Sequence, residues 1–162
     1  MTAVTPHVPQ HDALPPLASR FVAVDALPWT RSERHPGIES RTLLVDPATG
    51  LLTVLMRMAP GAKLPDHEHV LIEQTYVLQG SLVCGEGECR AGDFVWRPAG
   101  SRHEAWGGPQ GALLLGVFQI PNRFFAPDGK AVDFGGQAWE SVWGEVLARR
   151  GDAGQAGEDA GA

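Results

Sequence analysis

No apolar run in this chain approaches the roughly 18 residues that a membrane-spanning helix requires, so no membrane partner is expected. The opening stretch from Met1 to His7 lacks the charged and apolar regions of a secretory signal, and a cytoplasmic location is expected. Basic residues are scarce, 13 Lys and Arg against 19 Asp and Glu, for a formal net charge of −6. Nucleic-acid backbones are held by clustered positive charge, so that class of partner is excluded. Lys63 and Lys130 are the only lysines, which argues against an enzyme that grips a sugar phosphate. Cysteine is limited to Cys84 and Cys89, which flank a Gly-Glu-Gly-Glu stretch. A four-residue hairpin loop there would set them opposite each other, so a disulfide is conceivable; two ordinary thiols in a reducing compartment are the plainer expectation. Helical periodicity is also missing before residue 136.

What the sequence does contain is a succession of short strands punctuated by turns. Arg41 to Val45 runs into a turn from Asp46 to Gly50, and Leu51 to Met58 runs into Ala59-Pro-Gly61. Further strands are expected at Leu64–His69, Glu73–Leu78, Ser81–Cys84, Cys89–Ala91, Asp93–Arg97, His103–Trp106 and Ala112–Ile120. Phe21 to Leu27 is a candidate first edge strand, followed by a polar loop from Trp29 to Gly37. Leu51 to Met58 is apolar on both faces, as in a strand covered from two sides. Near the end, Trp139, Val142, Trp143, Val146 and Leu147 recur at helical spacing and predict one amphipathic helix over about 137–149, stopped by Gly151. At 162 residues the chain suits one domain over 21–150, with a flexible arm over 1–20 and a disordered tail over 151–162.

Chemistry concentrates in two stretches. In the first, His67 and His69 stand two apart, so on an extended chain both imidazoles point to one side. Glu73 lies six residues beyond His67, roughly 20 Å away in a straight strand, so the three meet only if the chain reverses between His69 and Glu73. In the second, a strand ends in the turn Pro98-Ala-Gly100 and His103 opens the next strand. His67, His69, Glu73 and His103 make a three-nitrogen, one-oxygen set suited to one divalent first-row metal. Glu68, between the two histidines, is expected to face the other way.

At these residues the sequence resembles the cupin superfamily. Gly61, His67, His69, Glu73 and Gly80 match every fixed position of its first motif. Gly92, Pro98, Gly100 and His103 match the second, with Gly107 where asparagine is usual. The resemblance implies an all-β double-stranded β-helix, a jelly-roll barrel that is often dimeric, with the metal inside; a short C-terminal helix completes the chain. A looser similarity, carried by His-Glu-His, Tyr-Val-Leu-x-Gly and Pro-x-Gly-Ser-x-His, points to acetylacetone- and dihydroxyacetophenone-cleaving dioxygenases and to the cupin half of the anti-sigma factor ChrR. The acetylacetone-type site resembles three histidines without the glutamate, so Glu73 sets this chain apart. ChrR-like sensors also carry a zinc-binding helical domain with cysteine ligands, and residues 1–40 hold no cysteine.

Three functions follow as expectations. The first is a metal-dependent oxidoreductase, a dioxygenase acting on a small diketone, hydroxy-ketone or phenol, with Fe(II) favoured and Zn, Mn or Ni also suited. The second is a non-catalytic metal- or ligand-sensing module, and the third a zinc-dependent sugar-phosphate isomerase. Candidate substrate-pocket residues are Thr75, which shares the face of Glu73, the aromatics Trp106 and Phe118, and Arg57, which either enters the pocket or reaches the surface. Val70, Leu71 and Ile72 fill the reversal with bulk where turns usually carry Gly or Asn. They either pack on the core or overhang the metal as a water-excluding wall. Arg97 and Arg102, beside the Pro-Ala-Gly turn, are expected at the surface.

Two-faced apolar strands such as Leu51–Met58 and Ala112–Ile120 predict a symmetric homodimer. Light scattering should therefore give twice the 17.3 kDa chain mass, and a monomer at all working concentrations would contradict this.

Overall fold

Antiparallel pairing explains why so many short strands make a single barrel. The computed structural model describes the backbone of residues 2–158. Its strands are β1 (Thr30–Arg31), β2 (Ile38–Val45), β3 (Leu52–Met58), β4 (Lys63–Glu68), β5 (Glu73–Cys84), β6 (Gly87–Arg90), β7 (Phe94–Arg97), β8 (Arg102–Phe118), β9 (Arg123–Phe125) and β10 (Ala131–Val132). Two strands are long enough to serve both layers. The second half of β8 pairs with β3 and with the first half of β5, while its first half pairs with β4 and with the end of β5. One layer therefore reads β1-β2-β3-β8-β5-β7 and the other β10-β9-β4-β8-β5-β6. The expected β-barrel is the fold observed.

Both long strands bend where the layers part. The β5–β8 register shifts between Val77 and Gln79 and again between Gly80 and Leu82. Gly80 and Gly111 both take positive φ there, +67° and +74°. A Cβ on Gly80 would sit 2.0 Å from the carbonyl oxygen of Gly111, so the crossing demands glycine. Gly107 has a related cause: a Cβ there would lie 2.4 Å from the Ala59 oxygen, leaving no room for the usual asparagine.

The main core holds Ile38, Met58, Leu64, Val77, Leu82, Leu114 and Phe124 between the layers. A second cluster, Ile120, Trp139 and Val146, seats the C-terminal helix α1 (Trp139–Glu158). Trp139 is fully buried and its indole N–H donates to the Pro121 carbonyl at 3.0 Å. No helix among the described residues is long and apolar enough to cross a membrane.

Several local expectations are corrected. Helix α1 starts later than residue 137 and passes through Gly151, because Gly151 keeps a negative φ instead of the left-handed cap that would stop it. Residues 159–162 of the expected tail lie outside the described residues. Phe21–Leu27 forms no strand; Phe21 is exposed, and the edge of β2 is taken instead by β1, inside the expected polar loop. The arm is tied down: Val4 bridges Val45, the Thr5 hydroxyl donates to the Leu43 carbonyl at 2.8 Å, and Pro9–Ala13 forms a 3-10 turn. His103–Trp106 and most of Ala112–Ile120 prove to be parts of the single strand β8, which is continuous through Gly107 and Gly108 and ends at Phe118. Cys84 pairs with Gly87 and Cys89 with Leu82, so the cysteines are offset, and both are free thiols.

The two motif glycines respond differently to substitution. Gly61 also has positive φ, +70°, but open space at its Cβ, so Gly61→Ala should cost only the left-handed backbone penalty, about 1–2 kcal/mol. Gly80→Ala adds the collision with Gly111 and should cost about 1–3 kcal/mol more. Denaturant melts of the two variants test this order.

Candidate metal centre

Main-chain pairing brings the two histidine stretches together. His67 on β4 lies directly opposite His103 on β8. His69, just past the end of β4, is clamped to the Pro98–Ser101 turn: its N–H donates to the Ser101 carbonyl at 2.9 Å, and its carbonyl accepts from the Gly100 N–H at 2.7 Å. At the other end, Gly61 and Ala62 exchange hydrogen bonds with Gly107. The three imidazoles converge as a result, with ring centroids 5.0 Å (His67–His69), 4.6 Å (His67–His103) and 5.0 Å (His69–His103) apart. One ligand nitrogen from each lies within 4.8 Å of the other two.

The hydrogen bonding prepares these rings for a metal. Nδ1 of His67 lies 2.8 Å from the Pro65 carbonyl, which can only accept, so the proton is on Nδ1 and Nε2 keeps its lone pair. Glu73 Oε2 lies 2.9 Å from Nδ1 of His69, off the direction of a good hydrogen bond, and favours the proton on that nitrogen. Both nitrogens of His103 and Nε2 of His69 are buried without a partner among the described residues. Burial, followed by the His67 charge, pushes His103 down to about 4, and burial also lowers His67. Neutral imidazoles at neutral pH are what a metal ligand requires. These orphaned nitrogens fit a bound metal ion, and the three-histidine group can hold one.

Glu73 stands outside that ligand group. Its Oε1 accepts from the Thr75 hydroxyl at 2.8 Å and its Oε2 from the Asn122 amide at 2.9 Å, besides facing His69. Burial alone would raise its pKa, but His69 and Asn122 outweigh that and hold it at about 2. The carboxylate thus stands beside His69 on the cavity wall and outside the three-histidine group, where the sequence suggested a fourth ligand. Glu68 points away, 3.6 Å from Arg123, as alternation requires.

A cavity of about 190 Å³ opens in front of His67, His103 and Glu73. Thr75 and Phe118 line it as expected, and Met56, Leu114, Phe124 and Asn122 complete much of its wall. The other pocket candidates lie elsewhere. Arg57 alternates with the cavity-facing Met56, so it points outward, pairing with Glu39 and stacking on Trp29 at 4.3 Å. Trp106 alternates with Ala105 and takes Lys63 over its ring. Val70 and Leu71 pack on the Ile120–Trp139 cluster and Ile72 is part-exposed, so the bend is a core contact and not a wall over the metal.

Asn122 and Arg97 are polar cavity residues that sequence reasoning did not place there. Asn122 lies in the loop after β8, with no periodicity to mark it. Arg97 is only 7% exposed and faces the cavity, although it was expected at the surface. Phe94 and Trp96 on β7 are the exposed alternates, and that pattern is the signal that places Arg97 inside.

A barrel with imidazoles gathered at its inner wall defines this protein as a cupin. More narrowly, residues 18–121 match the ChrR cupin-like domain, and the chain belongs to that family. Among solved structures it is similar to a proposed acetylacetone dioxygenase from Methylibium petroleiphilum, with 21% identity, a TM-score of 0.65, and coverage of 80% of this chain and 95% of that one. An acetylacetone dioxygenase from Acinetobacter johnsonii is similar at 20% identity and a TM-score of 0.65, over 81% and 93% of the two chains. The anti-sigma factor ChrR of Rhodobacter sphaeroides, in complex with SigE, is similar at 21% identity and a TM-score of 0.51, over 59% of this chain and 50% of that one. A search of curated protein sequences finds no match.

His67→Ala combined with His69→Ala should abolish divalent metal binding, measured as metal per chain after dialysis. Glu73→Gln, in contrast, should keep full stoichiometry while weakening affinity about 10–100-fold, the usual cost of losing a carboxylate behind a histidine ligand. Loss of all metal from Glu73→Gln would instead make the carboxylate a direct ligand.

Proposed function

We propose that this chain is a metal-dependent dioxygenase acting on a small chelating organic substrate, a diketone, hydroxy-ketone or phenol. The carrying observation is the conjunction of three converging imidazoles with a mainly apolar cavity. Three protein ligands leave positions open for a substrate, unlike a closed four-ligand structural zinc site. Imidazole donors suit Fe(II), which we favour, and also Zn, Mn and Ni. Bound Fe(II) would supply Lewis acidity together with one-electron chemistry toward dioxygen.

The protein's own residues divide the remaining tasks. Pro65 fixes the His67 tautomer, and Glu73, steadied by Thr75 and Asn122, fixes His69. With its pKa near 2, Glu73 is a weak proton acceptor, so its part is orientation and not abstraction of the substrate's proton. Leu114, Met56, Phe118 and Phe124 keep bulk water from the reacting oxygens. Cupin neighbours that bear the acetylacetone dioxygenase name support this reading.

Family membership favours a second reading, a ligand-sensing module without turnover. The isomerase reading is weakened, since Lys63 and Lys130 pair with Glu104 and Asp128 away from the cavity.

Protein loaded anaerobically with Fe(II) should take up one dioxygen per substrate consumed with at least one class from a diketone, hydroxy-ketone and catechol panel. Chelator binding with no oxygen uptake across that panel would overturn the enzymatic reading in favour of sensing.

A further inference from the structure

We propose that Arg97 makes the cavity a receptor for an acid, so that the ligand carries a carboxylate beside its chelating oxygens. This rests on the metal-chelating reading of the site, but not on turnover.

Arg97 is a full positive charge in a largely apolar enclosure, its side chain 9% exposed. Strand register sets it directly opposite Glu73, both facing inward. Such a cross-strand pair would ordinarily neutralise itself. It does not, because Glu73 is engaged by Thr75, Asn122 and His69. Arg97 instead donates through Nη1 to Glu86 at 2.8 Å and through Nη2 to the Cys84 sulfur at 3.5 Å. Glu86 sits on the β5–β6 hairpin turn with 75% of its side chain exposed, so water already satisfies most of that carboxylate. Those two bonds use two of the five donors a guanidinium offers, and the planar fork suits a carboxylate.

Charge leans the same way: the one carboxylate paired with Arg97, Glu86, is largely exposed, so an acid bound in the cavity would meet a guanidinium whose charge is offset only from the solvent side. The mainly apolar lining around a single buried cation suits a small oxo-acid.

The test compares binding of 2,4-dioxopentanoate with that of its methyl ester, which keeps the diketone and removes the charge. Zn-loaded protein is titrated calorimetrically, so dioxygen chemistry plays no part. The wild type should bind the acid at least about tenfold more tightly than the ester, the usual strength of a charge-assisted contact. Arg97→Gln should abolish that preference while leaving ester affinity and metal content unchanged. Glu86→Gln, an exposed change that does not threaten folding, should widen the preference several-fold by releasing Arg97. Equal binding of acid and ester by the wild type, no binding of the acid, or a preference unmoved in the variants would each overturn the proposal. The oxygen-uptake experiment fails or succeeds independently of this ratio.

Discussion

The structure turns on buried imidazole nitrogens that have no hydrogen-bond partner among the described residues. Leaving a buried polar atom unpaired costs about 1–3 kcal/mol, and His69 Nε2 with both nitrogens of His103 places several in one spot. A fold stable by only about 5–15 kcal/mol carries such a load where something else satisfies those atoms. The surrounding architecture serves that end. β4 and β8 are registered so that His67 faces His103, and the Pro98–Ser101 turn grips the main chain of His69. The double bend at Gly80 and Gly111 lets β5 and β8 run through both layers and close the barrel around the site.

Much of this was legible in the sequence because its causes are local. An alternating His-x-His fixes a shared face, and a Pro-x-Gly turn fixes where the next strand begins. What was not legible depends on partners distant in the chain. Nothing local shows that Asn122 reaches back to Glu73, or that this reach, with Thr75, holds the carboxylate beside His69 and out of the ligand group. Val70, Leu71 and Ile72 break turn chemistry, and the reason became visible only with α1 in place: Val70 and Leu71 pay for the awkward bend by packing on the Trp139 cluster. Gly151 misled for the opposite reason, since glycine permits a left-handed stop without enforcing one.

Arg97 was misplaced by a general prior, that arginines near a turn are solvated. Its strand neighbours Phe94 and Trp96 are exposed at 54% and 58%, so β7 turns its aromatics outward and its charge inward. This inversion of the usual pattern is the kind of local inconsistency that marks a functional position. It also argues against core packing as the reason for the residue, because an apolar side chain would fill that space without a desolvation cost.

The position of Glu73 bears on what the centre can do. As a direct ligand it would place a negative charge on the metal and occupy one coordination position. Held beside His69, it would leave a bound metal one more position free, and it would strengthen His69 as a donor through the Nδ1 proton. A more electrophilic ion with more open positions binds a bidentate anionic chelator better than a four-ligand site does. In the same cavity, Arg97 adds a positive charge whose ionic partner is the exposed Glu86, while Glu73 opposite is engaged by Thr75, Asn122 and His69. Both features shift the site toward anions, although the chain as a whole carries −6. An acidic exterior around a cationic pocket slows the encounter with an acid but does not weaken the bound state, because surface charges are screened within about 10 Å while buried ones are not. On the proposal made for Arg97, selectivity for an acid would reside in the dissociation rate, set by the three histidines and Arg97 inside the barrel.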